Sequence, residues 1–400
     1  MAGNDGSGMG GDDPGGFDPF ANLPMFGDLA KALAGQGPLN WDAARQFAAL
    51  SSSGGTAESN VDPAVRIAYE QLIPIADMHV RDVTGLETTG ASLELTTAGV
   101  WAQRTLDAYR PLFTDLAVSL GRPGPVADDP ADSGSGDPMM AMMSGLSQMM
   151  APSMMGMAIG SMVGRLASRA FGQYDLPIPR TATTLLIVPS SVDAFAADWS
   201  LPLDEMRLWV LAQELIGHAV FSHQVVRDTI TALVQHHVGA FRPDPSSIAD
   251  KLTSLEIDES DPMQAIQKAF SDPEILLGAV RSTEQIEQAP VLDAATAAVV
   301  GYVDYMVDSV AARLIGGDAL RIAEAVRRRR VEASAGDVFI ERLLGLQVTA
   351  AQVQRGKEFV GGVVDRSGEG LLRRLFDTEE GLPTPAEIDA PGLWLARINL

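Results

Sequence analysis

The residues whose types and spacing can support chemistry lie in DEMRLWVLAQELIGHAVFSHQVV, residues 204–226. In the zinc-binding motif H-E-x-x-H, two histidines on successive helical turns bind one metal ion, and the glutamate beside the first histidine polarises a metal-bound water. By comparison with this motif we assign Glu214 as the general base, His218 as a metal ligand and Gln213 as the residue in the first-ligand position. Taken alone, Glu214 and His218 form an i, i+4 pair of a kind that many helices contain by chance.

The elements that must position these residues are also visible in the sequence. Leu208, Leu211 and Leu215 recur at helical spacing, which predicts a helix through the segment. Residues 91–95 and 184–188 have the composition of short strands, and the chain beyond the second of them is almost entirely helical in pattern. The sequence therefore predicts a mainly helical protein with a small strand content.

The composition restricts the classes of function. Of the 400 residues, 46% are hydrophobic and 20% are charged, which is ordinary for a soluble globular protein. The absence of cysteine excludes thiolate zinc sites, iron–sulfur clusters and cysteine nucleophiles. The formal net charge of −23 repels the phosphates of nucleic acids and anionic lipid headgroups, so we expect neither as a partner. The start of the chain has neither the basic nor the apolar region of a signal peptide, and we expect a cytoplasmic protein.

Two changes in composition divide the chain. Residues 1–36 are rich in Gly, Asp and Pro, and we predict a disordered acidic tail because little apolar surface is available there for burial. Residues 37–400 form one domain in this interpretation, interrupted by a flexible acidic loop at residues 121–138.

A charge-free stretch from Met139 to Gly164 is long enough to span a membrane. Pro152 stands within it and its residues are small rather than strongly apolar, so we favour a buried helical hairpin over a membrane helix. Gly156, Gly160 and Gly164 share one helical face, and we expect this face to let another helix of the domain approach closely.

The motif segment is one of several distinctive stretches. These are GPLNWDAARQ (37–46), GMAIGSMVGRLASRAFGQYDLPIP (156–179), DWSLPLDEMRLWVLAQELIGHAVF (198–221), VVGYVDYMVDSV (299–310), LRIAEAVRRRR (320–330), ERLLGLQ (341–347), GKEFV (356–360) and LPTPAEIDAPGLWLARI (382–398). Together they make most of the chain beyond residue 36 resemble a bacterial zincin-like family, which is classified with zinc-dependent metallopeptidases and hydrolases. The G-x-x-x-G helix that continues into GQYDLPIP is the most specific part of the resemblance.

The resemblance implies a mainly helical α+β fold of zincin type, with the strand at 184–188 in a small β-sheet beside the motif helix. It also implies a zinc ion and a third metal ligand, a glutamate in a segment that reads E-G-x-x-D in the family. The matching segment here is VGYVD, residues 300–304, and Val300 stands in the place of that glutamate. Asp304, one turn further along the same face, is the candidate replacement ligand.

Three histidines offer other replacement ligands: His223, His236 and His237. His223 lies five residues beyond His218, which is about 140° further round a helix, so we expect it to point elsewhere. The basic run Arg327–Arg330 predicts a solvated or internally paired helix face rather than a phosphate site in so acidic a chain. The pair at residues 174–175 is expected to shape the turn into the extended segment that follows.

Two functions remain open at this point. Catalytic zinc needs three protein ligands and an open water position, whereas Gln213 is a poor ligand and Val300 cannot bind metal. We therefore favour a family member with a degenerate zinc motif, weakly active or inactive, that binds a peptide or protein. The alternative is an active zinc-dependent metallopeptidase with a non-standard ligand set that includes Asp304. The zinc content of the purified protein after dialysis distinguishes the two.

Overall fold

The structure, a computed structural model, describes residues 37–88, 91–121, 138–243, 279–280, 282–332, 338–346, 348–378 and 380–399. In these parts of the chain, long helices dominate and two short strands form a sheet beside them, which confirms the mainly helical α+β prediction. The predicted tail at residues 1–36 and nearly all of the predicted loop at 121–138 lie outside the described residues.

The elements follow one another along the chain with these bounds: α1 Trp41–Ser52, α2 Pro63–Thr84, β1 Ser92–Leu95, α3 Ala98–Ala108, α4 Arg110–Leu120, α5 Pro138–Arg169, β2 Thr184–Ile187, α6 Pro189–Asp198, α7 Leu203–Ser222, α8 Gln224–Gly239, β3 Arg242–Pro243, β4 Ala279–Val280, α9 Thr283–Leu314, α10 Ala319–Val331, α11 Phe339–Leu343, α12 Ala350–Ser367, α13 Arg374–Asp377, α14 Pro385–Ile388 and α15 Pro391–Ile398. Short 3₁₀ helices cover Gln173–Asp175, Gly316–Asp318 and Glu369–Arg373.

The sheet beside the motif helix is a parallel pair of strands. Ser92 of β1 lies opposite Thr184 of β2, and Leu95 lies opposite Ile187. Parallel strands require a long crossover connection, and here α3, α4 and α5 supply it. Because β2 contacts the motif helix α7, the predicted position of the sheet is confirmed.

The charge-free stretch lies on α5, which packs along α1 through its glycines. A Cβ atom at Gly160 would overlap the backbone of Ala44, and Gly156 and Gly164 approach α1 in the same way. The prediction of a close helix contact is therefore confirmed. The predicted hairpin is wrong, because α5 is one helix of 32 residues that contains Pro152. A proline removes one backbone N–H and kinks a helix, but it does not have to end one whose remaining turns are well packed.

The motif helix α7 crosses the interior of the fold. It is buried on almost all sides from Met206 to Phe221, as expected for a helix without a continuous polar face. It packs against α9, α2 and α6. Within the described chain, α9 is long and apolar enough to cross a membrane, but 67% of its most apolar window is buried in this fold, as in the core helix of a folded domain.

Candidate functional site

The motif residues occupy the contact between α7 and α9. Gln213, Glu214 and His218 lie on α7 with only 7%, 0% and 8% of their surface exposed, and α9 carries Val300 and Asp304. A cavity of about 80 Å³ between the helices is lined by Gln213, Val300 and Asp304 but not by Glu214 or His218. The structure thus brings three of the five predicted site residues together.

The spacing along α7 explains this division. Glu214 and His218 are four residues apart and both face Tyr174, whereas Gln213 lies five residues before His218, about 140° away round the helix. The residue four positions after Gln213 is Gly217, which lines the same cavity. The assignment of Gln213 and His218 to one metal ion must therefore be corrected, because the segment has one residue more between them than H-E-x-x-H allows.

Neither possible register restores the motif. Counted back from His218, Glu214 takes the place of the first histidine and Leu215 the place of the glutamate. Counted forward from Gln213, that residue replaces the first histidine and Gly217 replaces the second. Each register keeps a single side chain of the three that the motif requires.

Glu214 is turned away from the cavity towards the Gln173–Asp175 turn. Its Oε2 accepts the backbone N–H of Tyr174 at 3.1 Å, and its carboxylate fills space that a Cβ atom at Gly172 would occupy. Burial raises the pKa of Glu214 well above its ordinary value, and repulsion from Asp175 acts in the same direction. The carboxyl group therefore holds the turn in place and does not reach the cavity.

His218 is engaged by Tyr174. Its Nδ1 lies 3.2 Å from the Tyr174 hydroxyl, and the Tyr174 ring stacks on Phe221 with a centroid distance of 5.2 Å. Burial lowers the pKa of His218 and raises the pKa of Tyr174, so both groups are neutral near pH 7. One ring nitrogen of His218 is thus committed to a contact within the core.

Asp304 is held by two arginines of α10. Arg330 Nη1 lies 3.1 Å from Asp304 Oδ2, and Arg327 Nε lies 3.8 Å from the same oxygen. Arg327 also binds Asp308 at 2.6 Å. Of the two arrangements expected for the basic run, solvated or internally paired, Arg327 and Arg330 adopt the second, and a metal ion at Asp304 would have to compete with these guanidinium groups.

Two further ion pairs border the cavity, and the sequence did not indicate which residues form them. Arg169 pairs with Glu341, and Arg329 pairs with Asp175 at 2.8 Å. Burial lowers the pKa of Arg329 to about 10, although Asp175 opposes the shift. Asp175 also accepts the backbone N–H of Phe171 at 2.6 Å, which confirms that it shapes the turn. The paired residues lie 172 and 154 positions apart, so no local pattern could indicate them.

The three alternative histidines lie elsewhere. His223 caps the end of α7 and stacks on Phe376 at 5.2 Å, outside the cavity. His236 lies 3.5 Å from Glu284 on the surface, and His237 is buried at the end of α8. The structure therefore does not bring any of them to Gln213 or Val300.

The residues present do not fit a catalytic zinc ion, which requires three protein ligands. In the part of the chain that the structure describes, no group of three or more His, Asp or Glu side chains is arranged to hold a metal ion. Gln213 offers only a carboxamide, Val300 has no donor atom, and the carboxylate of Asp304 is bound by arginines.

The sequence profile of a family described as zincin-like metallopeptidase matches residues 39–395. The chain belongs to this family. The crystal structure of "a putative hydrolase with a novel fold" from Chloroflexus aurantiacus is similar to this zincin-like chain, with a TM-score of 0.61 and 20% sequence identity. The similarity covers 90% of this chain and 99% of that protein, and at such low identity it shows a shared fold alone. A search of curated proteins found no match.

Proposed function

We propose that this zincin-like chain has little or no zinc-dependent hydrolytic activity and that its α7–α9 cavity binds a peptide or protein segment. One observation carries the proposal: either register of the motif keeps one side chain of three, and Val300 stands where the family resemblance implies the third ligand. A catalytic zinc ion cannot be held by one ligand.

Gln213 supports the binding role. Its Oε1 is buried without a hydrogen-bond partner, and a buried acceptor in this state costs about 1–3 kcal/mol. A backbone N–H of a bound peptide would satisfy this oxygen. Val300, Val303 and Val326 border the same cavity and offer apolar contacts to a small side chain. Peptide-binding proteins commonly combine backbone hydrogen bonds with small apolar pockets.

The alternative, an active zinc peptidase with non-standard ligands, would require two rearrangements. Asp304 would have to leave Arg330 and Arg327, and Glu214 would have to leave the backbone N–H of Tyr174. Both carboxylates are held by several contacts, so each rearrangement would sacrifice hydrogen bonds in a buried environment.

Metal analysis tests the loss of zinc chemistry. The purified protein is exposed to equimolar zinc and dialysed against metal-free buffer, and we expect far less than one zinc ion per chain. His218→Ala should not change that content. Stoichiometric zinc that His218→Ala removes, together with cleavage of quenched fluorescent peptides by the unmodified protein, would contradict the proposal.

An array of short peptides with blocked termini tests the binding role. We expect a subset to bind, and Gln213→Leu should abolish their binding because it replaces the amide with an apolar side chain that has no hydrogen-bonding atom. Gln354→Leu, on the exposed face of α12, is the matched control and should leave binding unchanged. If no peptide on the array distinguishes the two variants, the proposed binding role is rejected while the zinc result stands.

A further inference from the structure

Further along the segment that begins at Tyr174, Arg180 is buried without a carboxylate partner. Only 8% of its surface is exposed. Its Nε donates to the Tyr109 hydroxyl at 3.2 Å and its Nη2 donates to Thr105 Oγ1 at 2.7 Å. The rings of Trp101 and Tyr109 lie 5.6 and 5.0 Å from its guanidinium carbon. Arg180 forms no ion pair with any carboxylate that the structure describes.

This arrangement sets Arg180 apart from the other buried arginine that the structure describes, Arg207, and from the half-buried Arg169 and Arg329. Arg169, Arg207 and Arg329 each form an ion pair with an aspartate or glutamate. A charge buried without a counter-charge is costly, and aromatic rings compensate only part of that cost. A guanidinium carries five N–H donors, and the two hydrogen bonds of Arg180 use two of them. Both the charge and several donors of Arg180 therefore remain available to a ligand.

Arg180 opens onto a groove of about 440 Å³ between the start of α4, the loop at 178–181 and α8. Leu112, Ile178 and Val234 line the groove with apolar surface. This volume falls in the usual range for small-molecule sites, which combine mostly apolar walls with a few polar groups that orient the ligand. The groove thus offers one deeply placed cation and an apolar surface beside it.

We propose that this groove binds an organic carboxylate with an apolar body, either a free acid or the C-terminus of a peptide. The carboxylate pairs with Arg180, and the apolar body lies against Leu112, Ile178 and Val234. The groove is separate from the Gln213 cavity, so this site does not depend on the function proposed for that cavity.

The charge of the groove selects a monoanion. Arg227 also lines it but is already paired with Asp228, with 3.2 Å between Nε and Oδ1, so the net charge is that of Arg180. A carboxylate neutralises this charge and matches the planar guanidinium. A phosphate dianion would leave excess negative charge in the groove.

Titration calorimetry with defined probes tests the site in the full-length protein. We expect hexanoate to bind with one molecule per chain and hexanamide to bind about tenfold more weakly or worse, because the amide lacks the charge. A tripeptide ending in leucine, compared with its C-terminal amide, shows whether a chain end is also accepted. Equal binding of hexanoate and hexanamide, or tighter binding of inorganic phosphate than of hexanoate, would overturn the proposal.

Two threonines of α8 provide a matched pair of variants. Thr231 lines the groove and Thr229 does not, while both are half-buried on the same helix. Thr231→Glu places a negative charge in the groove and should weaken hexanoate binding about tenfold or more, whereas Thr229→Glu should leave it unchanged. Arg180→Gln should abolish binding, but the threonine pair decides the question even if that variant fails to fold. Equal effects of the two threonine variants would contradict the site.

Discussion

The Gln213 cavity and the Arg180 groove border successive parts of the segment from Tyr174 to Arg180. They differ in whether a carboxylate neutralises their arginines. In the cavity, Arg169, Arg329 and Arg330 each contact a carboxylate. In the groove, Arg180 contacts only hydroxyl groups and aromatic rings. A buried ion pair is satisfied within the protein, whereas a lone buried cation keeps its charge available. The charged side chains beside Gln213 are thus paired within the protein, and a charged ligand would gain most in the groove.

The largest effect should come from breaking an ion pair of the cavity. Arg169→Met leaves the buried carboxylate of Glu341 without its cation, and we expect the free energy of unfolding to fall by about 3–5 kcal/mol. The double variant Arg169→Met, Glu341→Leu should recover most of this loss because no unpaired charge remains. Urea denaturation of both measures the difference. A single variant as stable as the unmodified protein would remove the contrast between the two regions.

A smaller effect is expected in the groove. Arg180→Met removes a charge that has no counter-charge, and Tyr109 can still donate to the carbonyl of Ile178, so the loss should stay below about 2 kcal/mol. The matched control is Arg207→Met, which leaves Asp193 without its cation and should cost more. If Arg180→Met proves the more destabilising of the two in urea, Arg180 already has its partner in the folded chain and the comparison is reversed.

The smallest effect concerns the unpartnered amide of the cavity. Gln213→Leu removes a buried acceptor without a donor, so we expect the free energy of unfolding to rise by about 1 kcal/mol. Gln354→Leu on the exposed face of α12 should change it by less than about 0.5 kcal/mol. Thermal unfolding followed by circular dichroism measures both. A clear loss of stability in Gln213→Leu would show that a donor reaches Oε1 in the folded protein, and the case for peptide binding would lose its main support.

Local patterns in the sequence were enough to predict several elements, among them the motif helix and the strands β1 and β2, and the glycine face of α5. The strands predicted at 91–95 and 184–188 are β1 and β2, each one residue shorter, and the glycine face of α5 meets α1 as expected. These features depend on residues that are close together in the sequence. Side-chain periodicity decides which face of an element is apolar, and a glycine without a Cβ atom lets another helix approach closely. The family assignment rests on many such segments at once, and the profile match confirms it.

Two predictions were wrong. One relied on a local rule that helix packing overrides, and the other relied on a residue spacing that does not match the motif. The hairpin at Pro152 was wrong because a proline does not have to end a long helix. The motif assignment joined Gln213 to His218 across five residues, and the helix directs them to different sides. The predictions of zinc content, of a peptide or protein partner and of a cytoplasmic location stay predictions.

By itself, the sequence determined the motif helix, the two strands β1 and β2, the glycine face of α5, the family and the absence of a metal-binding side chain at Val300. Only the tertiary structure decided which charges are satisfied. Asp304 meets Arg330 across 26 residues, Arg169 meets Glu341 across 172, and Arg180 meets no carboxylate in the described chain. The physical reason is that an ion pair needs two groups within about 4 Å, and for residues so far apart in the chain this distance is set by how the helices pack.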